Sequence, residues 1–201
     1  MKIKSLGKVL CAAVLCMSAC SAPASETPEE EPVTITNKIE IQSTPADMDG
    51  YIWIDEERAD FQLIPLRESI RFFEEGGSGI LYYGKVNCDW CQRAVPQLNR
   101  AARDLGVTVY YVDVSDAAVS FEEYEALVKC IDSTFRIDDT GEKAFFVPEV
   151  IAVKDGEVVG YHISLVDGYD ITKSEQMSDS QKDELAGIYR EVIKKAKDQD
   201  Q

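Results

Sequence analysis

The sequence predicts an α/β fold in which a mixed central sheet carries helices on both faces. Two observations lead to it. Strand-like and helix-like apolar patterns alternate along most of the chain in the order β-α-β-α-β-α-β-β-α, and crossover helices place their flanking strands parallel. Near the end, two apolar runs flank Asp155-Gly156, a dipeptide suited to a tight antiparallel turn. Of the 201 residues 45 % are hydrophobic, enough for the core of one domain of ordinary size with extensions.

The elements follow in order. Val33, Ile35, Ile39 and Ile41 alternate with polar residues and predict a strand or short hairpin. Tyr51-Ile52-Trp53-Ile54 predicts another strand, and Phe61 to Ile64 a third, ended by Pro65. Leu66, Ile70 and Phe73 have helical spacing, stopped by Gly76-Gly77. Gly79 to Tyr83 is an apolar run of buried-strand length. Residues 91–105 form a helix with Ala94, Val95, Leu98, Ala101, Ala102 and Leu105 inward and Gly106 at its end. Val107 to Val114 is a strand, and Phe121, Tyr124, Leu127, Val128 and Ile131 mark an amphipathic helix. Val147 to Val153 and Val158 to Ile163 make the hairpin around Lys154-Asp155-Gly156-Glu157. Residues 179–196 form the last helix, with Ser178 and Gln181 as a capping box.

The first residues read as an address. Lys2, Lys4 and Lys8 precede the apolar run Val9 to Cys16, which is too short to span a bilayer. Met17-Ser18-Ala19-Cys20 then resembles a bacterial lipobox. Residues 1–19 are therefore expected to be a lipoprotein signal peptide and Cys20 the lipidated residue; an ordinary cleaved secretory signal is the other reading. Residues 20–32, rich in Pro, Ser, Ala and Glu, predict a flexible tether. Residues 33–201 are expected to form the folded domain. The implied location is extracytoplasmic and lipid-anchored to the cell membrane, where disulfides persist.

Charge and composition narrow the function. A net charge of −16 argues against nucleic acid and against electrostatic binding to an anionic membrane. Removal of the three signal-peptide lysines makes it more negative still. One histidine excludes His-rich metal sites and leaves few ways to build a Ser-His-Asp triad. No metal and no bound cofactor are expected. With Cys20 lipidated and Cys11 and Cys16 lost, only Cys88, Cys91 and Cys130 remain for thiol chemistry.

Cys88-Asp89-Trp90-Cys91 lies at a strand-to-helix junction. A thiol at a helix N-terminus meets unpaired backbone N–H groups and the positive end of the helix dipole, and both favour thiolate. One helical turn separates the two sulfurs. Cys88, outermost, is the expected nucleophile; Cys91, more buried, is the expected resolving thiol. A structural disulfide and half of a zinc site are the competing readings. The first closes too short a loop to stabilise much, and the second lacks a second ligand pair. Trp90 is expected to contact substrate beside the thiols, or else to pack on the domain.

From about residue 61 to 195 the chain resembles a thioredoxin-fold protein. The match rests on the strand–Cys88-x-x-Cys91–helix junction, on Pro96 within the helix, and on Phe146-Val147-Pro148-Glu149-Val150 before the hairpin. Phe72, Gly84, Trp90 and Tyr110-Tyr111-Val112-Asp113 add a similarity to the thioredoxin-like group called bacteriocin transport accessory proteins, which implies exported thiol exchange in Gram-positive bacteria. The resemblance implies that Pro148 is cis and faces the dithiol, and that Val147 offers backbone hydrogen bonds to a substrate strand. Tyr82 stands where thioredoxin has a buried Asp. Asp89 beside Cys88 opposes thiolate formation, which favours a reducing pair over a strong oxidase.

The expected function is therefore a membrane-anchored thiol–disulfide oxidoreductase, leaning to reductase. Its partners would be exported protein thiols and disulfides and a membrane redox partner that resets the pair. The alternative is a non-catalytic docking module of an export or cell-envelope complex; metal handling by the dithiol is a weaker third. Cys130 reads as a partly buried free thiol, with a third redox role or an intermolecular bridge as other readings. Tyr82, Tyr83, Tyr110 and Tyr111 read as sheet packing and His162 as structural. Glu149 reads as an exposed strand charge, with electrostatic tuning of the site as the other reading.

Overall fold

The computed structural model describes residues 30–115 and 120–199. The expected signal peptide, the expected lipidation site Cys20 and the tether up to residue 29 lie outside the described residues. The chain runs through β1 (Thr44–Pro45), β2 (Asp60–Leu63), α1 (Leu66–Glu74), β3 (Gly79–Gly84), α2 (Asp89–Leu105), β4 (Thr108–Asp113) and α3 (Phe121–Ile131). A 3₁₀ turn at Asp132–Thr134 leads to β5 (Arg136–Ile137), β6 (Lys143–Ala144), β7 (Glu149–Lys154), β8 (Glu157–Ile163) and α4 (Asp179–Lys194).

Six strands form one mixed sheet in the order β1-β2-β4-β3-β7-β8. β2 and β3 both pair parallel to β4, while β3–β7 and β7–β8 are antiparallel. The pleat sorts side chains onto two cores. Ile80, Tyr82, Val109, Tyr111, Val150 and Ala152 face α2 and α4. Leu81, Tyr83, Val112, Ile151 and Val153 face α1 and α3. β3 is buried along its whole length, as its apolar run requires. The β7–β8 turn has Asp155 and Gly156 both at positive φ, 49° and 87°, a geometry matched to the strand twist. A Cβ on Gly156 would come within 2.8 Å of the Phe73 carbonyl oxygen. Both Ser120–Glu123 and Ser178–Gln181 form capping boxes.

The N-terminal expectations need correction. Val33, Ile35, Ile39 and Ile41 are half-buried in alternation with exposed residues, yet they form no ladder. The Val33 N–H donates to the Leu105 carbonyl (2.9 Å), and the Thr34 carbonyl accepts from Asp198 N–H (2.9 Å). An extended chain laid across a helix end alternates as a strand does, so the period reported burial and not pairing. Tyr51–Ile54 is a pair of turns: Tyr51 N–H donates to the Met48 carbonyl and Ile54 N–H to that of Tyr51. Phe72, fully buried, fills the inner position of α1, while Phe73 is half-buried. The β5–β6 ribbon was not anticipated. Its signal is Asp138-Asp139-Thr140-Gly141, where the Asp138 carboxylate accepts from Thr140 N–H (2.8 Å) and Glu142 N–H (3.0 Å).

Glu149 is also corrected: it is fully buried, not an exposed strand charge. Paired with Tyr83, it takes the same side of the sheet as Ile151 and Val153. Neither carboxylate oxygen has a hydrogen-bond partner, nor does the Tyr83 hydroxyl. Thr134 spends its own proton on the Ile131 carbonyl (3.0 Å). Burial pushes the Glu149 carboxyl up to about 7, against partial pulls from Thr134 and Arg136. A carboxyl raised in the fold stabilises it fully below the unfolded value, and that contribution is lost as pH rises through the folded value. Between pH 4.5 and 7, wild-type stability should therefore fall by about 2–3 kcal/mol relative to Glu149→Gln. Urea unfolding across this range checks it; parallel pH profiles would refute it.

Candidate active site

The site starts where β3 ends. Gly84 closes the strand, and Cys88 is the N-cap of α2, with extended backbone at φ −122° and ψ 116°. Its sulfur accepts the Cys91 N–H at 3.2 Å, filling the role a Ser or Asp oxygen plays at other helix starts. The Cys88 carbonyl accepts from Gln92 N–H at 2.9 Å. Cys88 is half-buried and Cys91 fully buried, and both are free thiols.

The two sulfurs are electrostatically unequal. Hydrogen bonding from the Cys91 side chain lowers the Cys88 thiol to about 6. Burial opposes this, while the backbone N–H groups of Cys91 and Trp90 and the charge of Lys85 add to it. Cys91 is pushed up, first by that same Cys88 contact and then by burial. The charge among the leading influences on Cys88 is Lys85, which favours thiolate, whereas the exposed Asp89 expected to oppose it is not among them.

Other side chains hold the dithiol turn, and sequence reasoning missed them. The Gln92 carboxamide oxygen accepts from Ile52 N–H (2.9 Å), and its nitrogen donates to the carbonyls of Gly50 (2.9 Å) and Val86 (2.7 Å). One side chain thus ties the N-terminal loop and the loop before Cys88 to the first turn of α2. Arg93, only 7 % exposed, donates to the Asp89 carbonyl (2.6 Å), the Tyr169 hydroxyl (2.7 Å) and the Glu175 carbonyl (2.7 Å). Its guanidinium also lies over the Trp53 ring, 4.9 Å from the centroid. The only signal for these roles was two polar residues directly after Cys91 on a face that had to be buried.

Trp90 and Val147 line one groove of about 440 Å³, with Arg136, Ile137, Phe146 and Ile163. Trp90, Ile137 and Phe146 leave apolar surface exposed there. The Val147–Pro148 bond is cis, and the Pro148 carbonyl accepts from Ser164 N–H at 2.8 Å. Cys88 and Val147 pack against the same core, on the α2 and α4 face. The structure therefore gathers Cys88, Cys91, Trp90, Val147 and Pro148 at one end of the sheet. Cys130 packs against the opposite core. Pro96 lies inside α2, where it removes one helical N–H.

Among the described residues no group of three or more His, Cys, Asp or Glu side chains is arranged to hold a metal, and no helix is long and apolar enough to cross a membrane. No family model matches the chain, and no curated protein matches it.

Alkylation of Cys88 by iodoacetamide should titrate with a midpoint near 6. Cys91→Ala should move that midpoint upward, since it removes the leading stabilising contact. A wild-type midpoint near roughly 8.5, the value of an ordinary thiol, would overturn this account.

Proposed function

We propose that this chain is a thioredoxin-like thiol–disulfide oxidoreductase, tethered by lipid at Cys20 on the outer side of a bacterial cell membrane. One observation carries the reading: a helix-capping Cys88 made acidic by a buried, less acidic Cys91. The mixed sheet, the helices on both faces and the cis Val147–Pro148 bond beside the dithiol support the thioredoxin-like assignment.

The exchange runs in two steps. The Cys88 thiolate attacks a client disulfide; the client S–S bond breaks, one client sulfur leaves as thiolate, and a Cys88–client disulfide forms. Cys91 then loses its proton and attacks the Cys88 sulfur. The mixed disulfide breaks, the second client sulfur leaves as thiolate, and Cys88 and Cys91 are joined. Two electrons pass to the client, and a dithiol-bearing membrane partner must return them. The exposed apolar groove at Trp90 and Val147 would seat the client backbone.

For the direction of exchange, acidity is the guide. A midpoint of about 6 lies between thioredoxin at roughly 7 and a strong oxidant at roughly 3.5. The pair should accordingly have a reduction potential between about −270 and −120 mV, and a value nearer the first supports the reductase direction. Cys91→Ser should trap covalent Cys88–client adducts in cells, released by reductant. Absence of adducts, together with full function of a Cys88→Ser, Cys91→Ser double variant, would replace this reading with the docking module.

A further inference from the structure

The groove beside the dithiol carries charge of one sign. Trp90, Ile137, Phe146, Val147 and Ile163 line it with apolar surface, and among the described residues Arg136 is its ionised group. Arg136 and Ile137 come from β5, so the β5–β6 ribbon builds this wall. Ile137 is 64 % exposed there. The Arg136 Nη2 donates to the Ile163 carbonyl at 3.1 Å, which pins the guanidinium at the groove wall. The other cation of the ribbon, Lys143, lies opposite Ile137 in register and spends its charge on Asp132 at 2.7 Å. The Asp138 carboxylate is taken up by N–H groups of its own turn.

The chain has 37 acidic and 21 basic side chains, so its cations have carboxylates to spare. Arg58, Arg71, Arg100, Arg103 and Arg190 each hold one. Buried Arg93 is spent on two carbonyls and the Tyr169 hydroxyl. Arg67 on α1 shares its groove with Glu74, Glu122 and Glu123. Among the described residues Arg136 forms no ion pair, and no acid lines its groove. Glu149, paired with Ile163 across the β7–β8 ladder, is fully buried, and neither of its oxygens bonds the guanidinium. A guanidinium fixed at an apolar wall is a fork suited to a carboxylate, and it loses little freedom in binding one.

We propose that Arg136 is a specificity-determining residue that selects client polypeptides carrying an acidic side chain close to the reacting cysteine. This rests on the dithiol-exchange reading above and names the class of its clients. The client carboxylate would pair with Arg136, and apolar client side chains would cover Trp90, Ile137 and Phe146. The net charge of −16 repels acidic polypeptides as a whole. Arg136 reverses that repulsion at one place, so the position of the acid relative to the cysteine decides, not the acidity of the client. Its effect falls on encounter and seating, where complementary charge acts most, and leaves the sulfur chemistry to Cys88 and Cys91.

Short, otherwise neutral peptides with one leucine and one cysteine test this. The cysteine is activated as a pyridyl disulfide, and attack on it releases coloured thiopyridone. Glu, Gln or Lys is placed at successive positions on either side of the cysteine. At one or more positions the Glu peptide should react with the wild-type protein about threefold or more faster than the Gln peptide. The preference should shrink as salt is raised. The ratio of the two rates cancels any change in the dithiol itself. Arg136→Gln should bring it to about one, Arg136→Lys should keep part of it, and Arg136→Glu should turn it toward the Lys peptide. Arg67→Gln should leave the ratio as in wild type. No preference at any position, or a preference that survives Arg136→Gln or is lost in Lys85→Gln alone, would overturn the proposal. Failure of wild type to release thiopyridone from any peptide, or equal release by Cys88→Ser, would instead remove the exchange reading and the proposal with it.

Discussion

The hydrogen bond from Cys91 N–H to the Cys88 sulfur is the contact on which the site depends. It makes a sulfur the cap of a helix, and the other features of the site preserve that arrangement. A helix start leaves several N–H groups unpaired, and a thiolate is a better acceptor for them than a thiol. The cap therefore adds to an acidity that the Cys91 side chain leads. Gln92 and Arg93 fasten the same turn through side chains that reach backbone carbonyls in loops distant in sequence. The cap is held from outside the helix as well as within it.

Two buried polar clusters, one on each face of the sheet, differ in kind. On the α2 and α4 face, the hydroxyls of Tyr51, Tyr82 and Tyr111 satisfy one another. On the α1 and α3 face, Glu149 and the Tyr83 hydroxyl are buried without partners. An unpartnered buried polar group costs roughly 1–3 kcal/mol, so the second cluster is a charge on stability that the first avoids. Residue type does not distinguish them: Tyr82 and Tyr83 are neighbours on one strand. The pleat sends one toward partners and the other away from them.

The regular part of the fold was legible because apolar period and turn chemistry agreed there. The Asp155-Gly156 turn, the capping box at Ser178 and the glycine stops after α1 and α2 each had a local physical cause, and each stands in the structure. The dithiol junction was legible for the same reason, since a helix start and a Cys-x-x-Cys spacing coincide. Elsewhere the cause was tertiary. Val33–Ile41 alternates because it runs extended from the end of α2 to the side of α1, and no local signal separates that from a strand. Glu149 looked exposed because acidic residues usually are; only its register opposite Tyr83 buries it. Gln92 gains its role by reaching Gly50 and Ile52, and Tyr51 by reaching Tyr82 and Tyr111, all distant in sequence.

The course of the N-terminal segment sets which way the molecule faces. Glu30 pairs with Lys194 at 2.9 Å, and Val33 bonds to Leu105 at the last turn of α2. Cys88 caps the first turn of that same 17-residue helix, so about 25 Å of helix stands between them. A chain held at its N-terminus would thus attach beneath the domain and turn its thiols away from the lipid surface. Under the proposed anchoring at Cys20, the depth of the domain would itself set how far from the membrane a client disulfide must lie to be met.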